Sequence, residues 1–247
     1  MTNMREERIL AFLQEKSPLT VEELAVLLQV SEPTVRRDLA AMEQDGVILR
    51  QRGGASLPGL GFEPLFNQRS RHNQDDKKRI AQYAASQIAE GEVIALDAGT
   101  TNAELAKELL KMSNLTVFTY SLQIAFILSR SQHNVYVIGG RFRKSEQSMV
   151  GTLAKETIRQ FNFDRFFMGL AGFNAEQGPT DFNLEEVEIK RHMIERSKKV
   201  IALADGSKYG GASLVKVCDY NEIDELVTTA IPTSGEELGF HGRLTIV

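Results

Sequence analysis

Residues 20–39 run Thr20-Val21-Glu22-Glu23-Leu24-Ala25-Val26-Leu27-Leu28-Gln29-Val30-Ser31-Glu32-Pro33-Thr34-Val35-Arg36-Arg37-Asp38-Leu39. Thr20 and Glu23 stand at the spacing of a capping box, in which the threonine hydroxyl accepts the N3 amide and the glutamate reaches back to the N-cap amide. Leu24, Leu27 and Leu28 give the helix so opened its apolar face, and it ends near Gln29. After a short turn Ser31 is a good N-cap. Pro33 then falls in the first turn of the next helix, where its missing amide had no partner to lose. Val35, Leu39 and Met42 recur at helical spacing and set the buried side of that helix. Its opposite side presents Pro33, Arg37, Ala40 and Gln44, flanked by Thr34 and Arg36. Two helices, a tight turn and an outward face of small and cationic residues make the pattern of a helix-turn-helix. Arginine suits that face because its fork pairs with guanine O6/N7 or clamps a phosphate.

The flanks agree. Arg5 to Lys16 predicts a preceding helix with Ile9, Leu10, Phe12 and Leu13 as its stripe, stopped by Ser17-Pro18. After the turn Asp45-Gly46, the run Val47-Ile48-Leu49-Arg50-Gln51-Arg52-Gly53-Gly54-Ala55 predicts a β-wing, with Arg50 and Arg52 near a tip that approaches the nucleic-acid backbone. Alone, Arg36-Arg37 would be a solvated face; with the cap, the turn and the wing it reads as a surface for double-stranded DNA. The net charge of −4 does not oppose this. Phosphate contact needs local cations, and four arginines fall between Arg36 and Arg52.

The 247 residues, 42% hydrophobic and 25% charged, describe an ordinary globular chain with room for a small domain and a medium one. No run approaches a membrane span, and the charged start Met1-Thr2-Asn3-Met4-Arg5-Glu6-Glu7 lacks a signal-peptide core. A single cysteine, Cys218, excludes an internal disulfide framework and fits a reducing cytoplasm. His72, His133, His192 and His241 are scattered without ligand spacing, so neither a metal nor a cofactor is expected.

The stretch 57–74 holds Pro58, Gly59, Gly61 and Pro64 without a sustained period and predicts a linker between a winged domain at 1–56 and a second domain at 75–247. From Asp75 helices alternate with strands. Helices are expected over 75–90, 102–111, from Leu122, 153–161 and 184–198; strands over 93–96, 116–119, 135–138, 165–170 and 200–203. Such alternation predicts a three-layer α/β domain around a largely parallel sheet.

Ligands of such sheets bind beyond the carboxyl ends of the strands. Asp97-Ala98-Gly99-Thr100-Thr101 follows one strand and leads straight into a helix, so Gly99 permits close approach and the helix start offers free amides to a phosphate. No Gly-Lys-Ser/Thr follows, so this is not a Walker loop. Ile138-Gly139-Gly140-Arg141, Gly169-Leu170-Ala171-Gly172-Phe173 and Ala204-Asp205-Gly206-Ser207-Lys208 end three other strands. Arg141 and Lys208 can complement a phosphate, and Asp97 or Asp205 can accept sugar hydroxyls. The coincidence of four such ends points to a pocket more firmly than any one of them.

These residues also carry a family resemblance. Arg5, Ile9 and Leu13, the run Ser31 to Leu39, Arg52-Gly53-Gly54-Ala55 and Glu63-Pro64-Leu65-Phe66 resemble the helix-turn-helix, wing and linker of DeoR-type repressors. The resemblance implies that Ser31, Thr34, Arg36 and Arg37 lie at the DNA, with Asp38 a structural partner for an arginine. Asp97 to Thr101, Gly139-Gly140, Gly169 to Gly172 and Ala204 to Gly210 resemble the sensor domain of the same family, which is similar in fold to ribose-5-phosphate isomerase. By that resemblance Asp97, Gly99, Thr100, Thr101, Gly139, Gly140, Asp205 and Lys208 line an effector site, with Glu188 and Lys190 near it. The chain departs from the pattern at Tyr120, at Gly206 and over Gln177-Gly178-Pro179-Thr180.

The expected function is a repressor of a sugar-metabolism operon, a homo-oligomer (dimer or tetramer) released from operator DNA by a phosphorylated sugar. The alternative is a sugar-phosphate isomerase with an accessory DNA-binding module. Aldose–ketose isomerisation needs a carboxylate base, and Gly169-Leu170-Ala171-Gly172 carries none where the related isomerases have paired aspartates.

Overall fold

A computed structural model describes residues 4–44, 46–59, 62–231 and 234–247. Asp45 of the expected turn, Gly61 of the expected linker and Met1-Thr2-Asn3 lie outside the described residues. The chain forms two compact units, Met1–Asn73 and Gln74–Val247.

In the first unit α1 (Met4–Glu15), β1 (Leu19–Thr20), α2 (Val21–Leu28) and α3 (Glu32–Gln44) precede a hairpin of β2 (Leu49–Gln51) and β3 (Gly54–Ser56), and α4 (Phe66–Arg71) follows. Both bonds of the capping box form: the Glu23 amide donates to Thr20 Oγ1 at 3.1 Å and the Thr20 amide to Glu23 Oε2 at 2.7 Å. Gln29, with φ 57°, closes α2 in the left-handed region and turns the chain toward α3. Ile9, Leu13, Leu24, Leu28, Val35, Leu39, Met42 and Ile48 bury their side chains together. The helical periodicity picks out all of these but Ile48; of the other residues it picks, Leu10 and Phe12 are only partly buried and Leu27 is exposed.

The wing differs from its expected form in two ways. Its apolar start, Val47-Ile48, is a bend, and the strand begins only at Leu49. It also gains a third strand, because β1 pairs antiparallel with β3, Leu19 opposite Ala55. Gly54 makes that pairing possible, since a Cβ there would stand 2.2 Å from the Leu19 carbonyl oxygen. The stretch 57–74 is not structureless either. It contains α4, whose Gln68 side chain donates to the Glu43 carbonyl at 3.2 Å, and as far as Asn73 it belongs with the first unit.

The second unit contains α5 (Gln74–Ser86), β4 (Val93–Leu96), α6 (Thr100–Leu109), β5 (Thr116–Thr119), α7 (Leu122–Leu128), β6 (Asn134–Val137), β7 (Arg141–Arg143), β8 (Ser148–Val150), α8 (Thr152–Ile158) and β9 (Arg165–Gly169). There follow β10 (Gly172–Asn174), β11 (Gly178–Asp181), α9 (Leu184–Glu195), β12 (Val200–Ala204), β13 (Val215–Lys216), β14 (Glu225–Thr228) and β15 (Arg243–Ile246). Seven strands form one sheet in the order β15-β14-β12-β9-β4-β5-β6, and every pairing is parallel. Helices α5, α6 and α7 pack on one face; α8 and α9 lie on the other with the small antiparallel sheet β10-β11-β13. Both faces are therefore covered, as the near-continuous apolar runs of β4, β9 and β12 require. Ala95, Phe118, Phe166, Met168 and Ala202 join Val187 and Met193 of α9 in the larger core.

The chain lays down β4, β5 and β6 in one direction, then returns to place β9 on the other side of β4. The switch point of the sheet thus falls between the ends of β4 and β9, at Asp97 and Gly169. In open α/β sheets this is where the crevice opens.

Candidate functional site

At the switch point the Asp97 carboxylate is wholly buried, and both its oxygens accept hydrogen bonds. Its Oδ2 accepts from the Gly169 amide at 2.7 Å and from Lys190 Nζ at 2.7 Å, and its Oδ1 accepts from the Tyr120 hydroxyl. Lys190, on α9, also donates to Asp181 Oδ2 at 2.5 Å and to the Gly169 carbonyl at 2.6 Å. Burial alone would lower the Lys190 ammonium; the Asp181 and Asp97 carboxylates outweigh it and hold the pKa above its ordinary value. Burial raises the Asp97 carboxyl against the opposing pull of Lys190. Burial and the neighbouring Asp97 raise the Tyr120 hydroxyl, which stays a neutral donor. An ammonium between two carboxylates fixes the crevice floor and ties β4, β9, β11 and α9 together.

This corrects three sequence expectations. Asp97, expected to accept sugar hydroxyls, already accepts from three donors inside the protein and is wholly buried. Lys190, expected near the effector site, is the central cation of a buried triad. The lack of carboxylates at Gly169 to Gly172 does not leave this strand end without them, since Asp97 and Asp181 arrive from other elements. Both are held by Lys190, so neither is presented as a free base.

Above this floor Gly99, with φ 122°, caps α6. Thr100 and Thr101 open that helix, and neither side chain has a hydrogen-bond partner among the described residues. Asn102 is wholly buried one residue further on, with its side-chain nitrogen 3.7 Å from where a Cβ on Gly169 would stand. Neither polar atom of its side chain has a hydrogen-bond partner among the described residues. A helix start with free hydroxyls, free amides and an unused amide side chain is suited to an anion with polar substituents.

The β7–β8 hairpin covers these strand ends. Beyond β5, the Met149 amide donates to the Tyr120 carbonyl at 2.8 Å and the Leu122 amide to the Gln147 carbonyl at 2.9 Å. On its other side the hairpin meets α9. Arg141 pairs with Glu185, Arg143 donates to Glu186 Oε1 at 3.1 Å, and the Ser148 hydroxyl donates to the same oxygen. The turn brings buried Glu146 to the cradle, its Oε1 3.9 Å from a Cβ position on Gly99.

The remaining expected residues divide. Gly140 stays close to β8, where a Cβ would meet the Val150 carbonyl oxygen at 2.6 Å, while Gly139 has open space around its Cβ position. Asp205 caps its own turn, accepting from the Ser207 amide at 3.1 Å and the Ser207 hydroxyl at 2.5 Å. Lys208 ends that turn, half-buried. A Cβ at Gly206 would meet the Ala230 carbonyl oxygen at 2.6 Å, so a serine there would need the neighbouring strand end to shift. Glu188 faces α8, where Lys155 bonds it at 2.8 Å and holds its carboxyl below the usual range. The sequence missed Tyr120 as a partner, Asn102, Glu146, Asp181 and Glu186. A lone polar residue gives no local signal of what the fold places against it.

In the first unit Ser31, just before α3, is exposed, as are Arg36 and Arg37 on the helix, with Thr34 half-exposed. The Ser31 and Thr34 hydroxyls are 3.0 Å apart across the first turn. Arg36 is paired with Glu32 at 3.1 Å and Arg50 with Glu43 at 3.8 Å, whereas Arg37 and Arg52 have no partner among the described residues. Asp38 does not face solvent: Arg5 of α1 grips it through two bonds, at 2.5 and 3.1 Å. The recognition helix is thereby anchored on its inner side while Arg37 is left exposed.

A winged helix-turn-helix followed by a parallel α/β domain is the architecture of a two-domain DNA-binding regulator. Residues 5–59 match the DeoR-like helix-turn-helix domain and residues 72–230 the DeoR C terminal sensor domain. The chain belongs to the DeoR family. It is 36% identical over 233 residues to the HTH-type transcriptional repressor GlcR of Bacillus subtilis, a match covering 92% of this chain and 90% of that protein. It is 37% identical to the HTH-type transcriptional regulator GolR of Listeria innocua, covering 91% and 89% of the two chains. With the glycerol-3-phosphate regulon repressor of Escherichia coli it shares 31% identity over 92% of this chain and 91% of that one. Among solved structures, ribose 5-phosphate isomerase A of Methanocaldococcus jannaschii aligns with 56% of this chain and 55% of its own at 16% identity and a TM-score of 0.41. That likeness is too slight to carry an argument. Among the described residues no helix is long and apolar enough to cross a membrane.

Proposed function

We propose that this chain is an operator-binding repressor of a carbohydrate-metabolism operon, relieved by a phosphorylated sugar or a related metabolite. The observation that carries the DNA half is Arg37, exposed on the outer face of a recognition helix whose inner face is tied down by Leu39, Met42 and the Arg5–Asp38 pair. The free start of α6, with Thr100, Thr101 and Asn102, supports an anionic effector. The names of the relatives support the operon class. Two recognition helices of a homo-oligomer would engage paired half-sites. Effector binding would favour a weaker-binding conformation by about 1–3 kcal/mol, a roughly 5–150-fold change. Catalysis is not part of the proposal, because the carboxylates at the switch point are both bonded by Lys190.

The test is retardation of the promoter fragment upstream of the chain's own operon, wild type beside Arg37→Ala, at two salt concentrations. Arg37→Ala should lose roughly 5- to 150-fold in affinity if it reads a base, or lower the salt slope if it clamps a phosphate. No retardation by wild type overturns the proposal; unchanged affinity and slope in the variant overturn the role of Arg37. Turnover of ribose 5-phosphate by the purified chain would reinstate the isomerase reading.

A further inference from the structure

The β7–β8 hairpin places a carboxylate beside the helix start at which the effector's anion is expected. Glu146, in the hairpin turn, is 2% exposed and stands beside Gly99, the residue that opens α6. The start of a helix carries positive potential and free amides, which favour an anion, whether a side chain or a ligand. Asn102 lies buried in the same helix start with unused hydrogen-bonding capacity. The cradle is therefore built for more polar contact than the chain itself makes there.

Two anions do not share one such position, because each raises the cost of charge on the other. A phosphate arriving at α6 must therefore move Glu146 away or be refused. The hairpin that carries Glu146 is fastened by bonds that can be exchanged: two backbone bonds to Tyr120 and Leu122, and the contacts of Arg141, Arg143 and Ser148 with Glu185 and Glu186 on α9. None of these is part of the large sheet, so the roof can shift while the floor at Asp97, Lys190 and Asp181 stays intact.

We propose that the Glu146 carboxylate competes electrostatically with the effector's phosphate at the start of α6, so that the β7–β8 hairpin carrying it moves away when the ligand binds. The proposal rests on the effector reading above and adds which group competes and which element moves. A ligand shifts such an equilibrium only by its differential affinity for the two states. Removing the competing carboxylate must therefore strengthen anion binding. A Glu146 that contacted sugar hydroxyls instead would weaken binding when removed.

Calorimetric titration of the full chain, Glu146→Gln and Glu146→Ala with inorganic phosphate and a panel of aldose and ketose phosphates decides between these. At least tenfold tighter binding by both variants is expected. Equal or weaker binding by Glu146→Gln overturns the proposal and leaves the effector reading standing. Absence of phosphate binding in wild type and variants alike overturns both. Hydrogen exchange on wild-type protein is independent of how the variants fold. Saturating phosphate should speed exchange of the Met149 and Leu122 amides, and slower exchange would overturn the displacement.

Discussion

Lys190→Met tests the buried triad most directly. The substitution keeps an unbranched side chain of similar length and removes one charge from a site where Lys190 is 3% exposed and Asp97 is 0% exposed. Asp97 and Asp181 lose the ammonium that bonds them at 2.7 and 2.5 Å, and the Gly169 carbonyl loses its donor. Breaking a buried pair by deleting one partner costs about 3–5 kcal/mol, because the remaining charge is left uncompensated. At roughly 2–4 °C per kcal/mol for a domain of this size, the sensor-unit transition should fall by about 6–20 °C at pH 7. The pH dependence gives the sharper check. In wild type the raised Lys190 pKa contributes stability that is fully present below the ordinary value of 10.5 and lost only as pH rises through the folded value. In the variant the downward pull of Lys190 is gone, so burial and the neighbouring Asp181, opposed only by the Tyr120 hydrogen bond, raise the Asp97 carboxyl further above the ordinary 3.8. That cost is absent below 3.8 and complete above the folded value, so the deficit must shrink as pH falls from 7 toward 4. Adding Asp97→Asn should restore part of the loss at pH 7. Scanning calorimetry of the full chain reads all three effects. A melting temperature within about 2 °C of wild type at pH 7, or a deficit constant down to pH 4, would refute the triad as described.

Three further outcomes follow from other contacts. Lys16 first, then the Thr20 amide, hold Glu23 at about 2, below its ordinary 4.5, so its contribution is present above 4.5 and lost as pH falls through 2. Glu23→Gln should flatten the acid limb of melting of the first unit between these values, and an unchanged limb in circular dichroism would count against the capping box. Burial first, then Glu222 and Asp219, push the Cys218 thiol up to about 12. Ellman's reagent at pH 8 should therefore label native protein at least ~100-fold more slowly than a free thiol, and labelling at the free-thiol rate would contradict that burial. Gly54→Ala should force β1 off β3, because its Cβ would stand 2.2 Å from the Leu19 carbonyl oxygen. Lower melting of the first unit and weaker operator retardation are expected; unaltered melting would show that the wing does not need that approach.

Short-range chemistry was legible in the sequence by itself. The Thr20–Glu23 box, the buried stripe of α3, the three apolar strands β4, β9 and β12 and the Gly99 turn into α6 each depend on residues a few positions apart. Caps and periodicity report such neighbours directly. Their boundaries shifted by only a few residues, as with α6, expected from Asn102 and observed from Thr100. What failed was short or unlike its type: β7 is Arg141-Phe142-Arg143, and β11 contains Pro179, which serves its ladder by accepting from Val217. The β1 strand is two residues long and exists only because β3 lies beside it.

The cradle shows the same division. Its location at the strand ends came from the sequence, since a strand, a glycine and a helix start are contiguous there. The role of each residue came only from tertiary structure. Asp97 meets Gly169 across 72 residues and Tyr120 across 23, and nothing local to any of them announces the others. A buried charge is shaped by what surrounds it in space. Whether Asp97 and Lys190 greet a ligand or hold each other was therefore decided by the packing of β4, β9 and α9, while the place where a ligand would come was already written in the order of the residues.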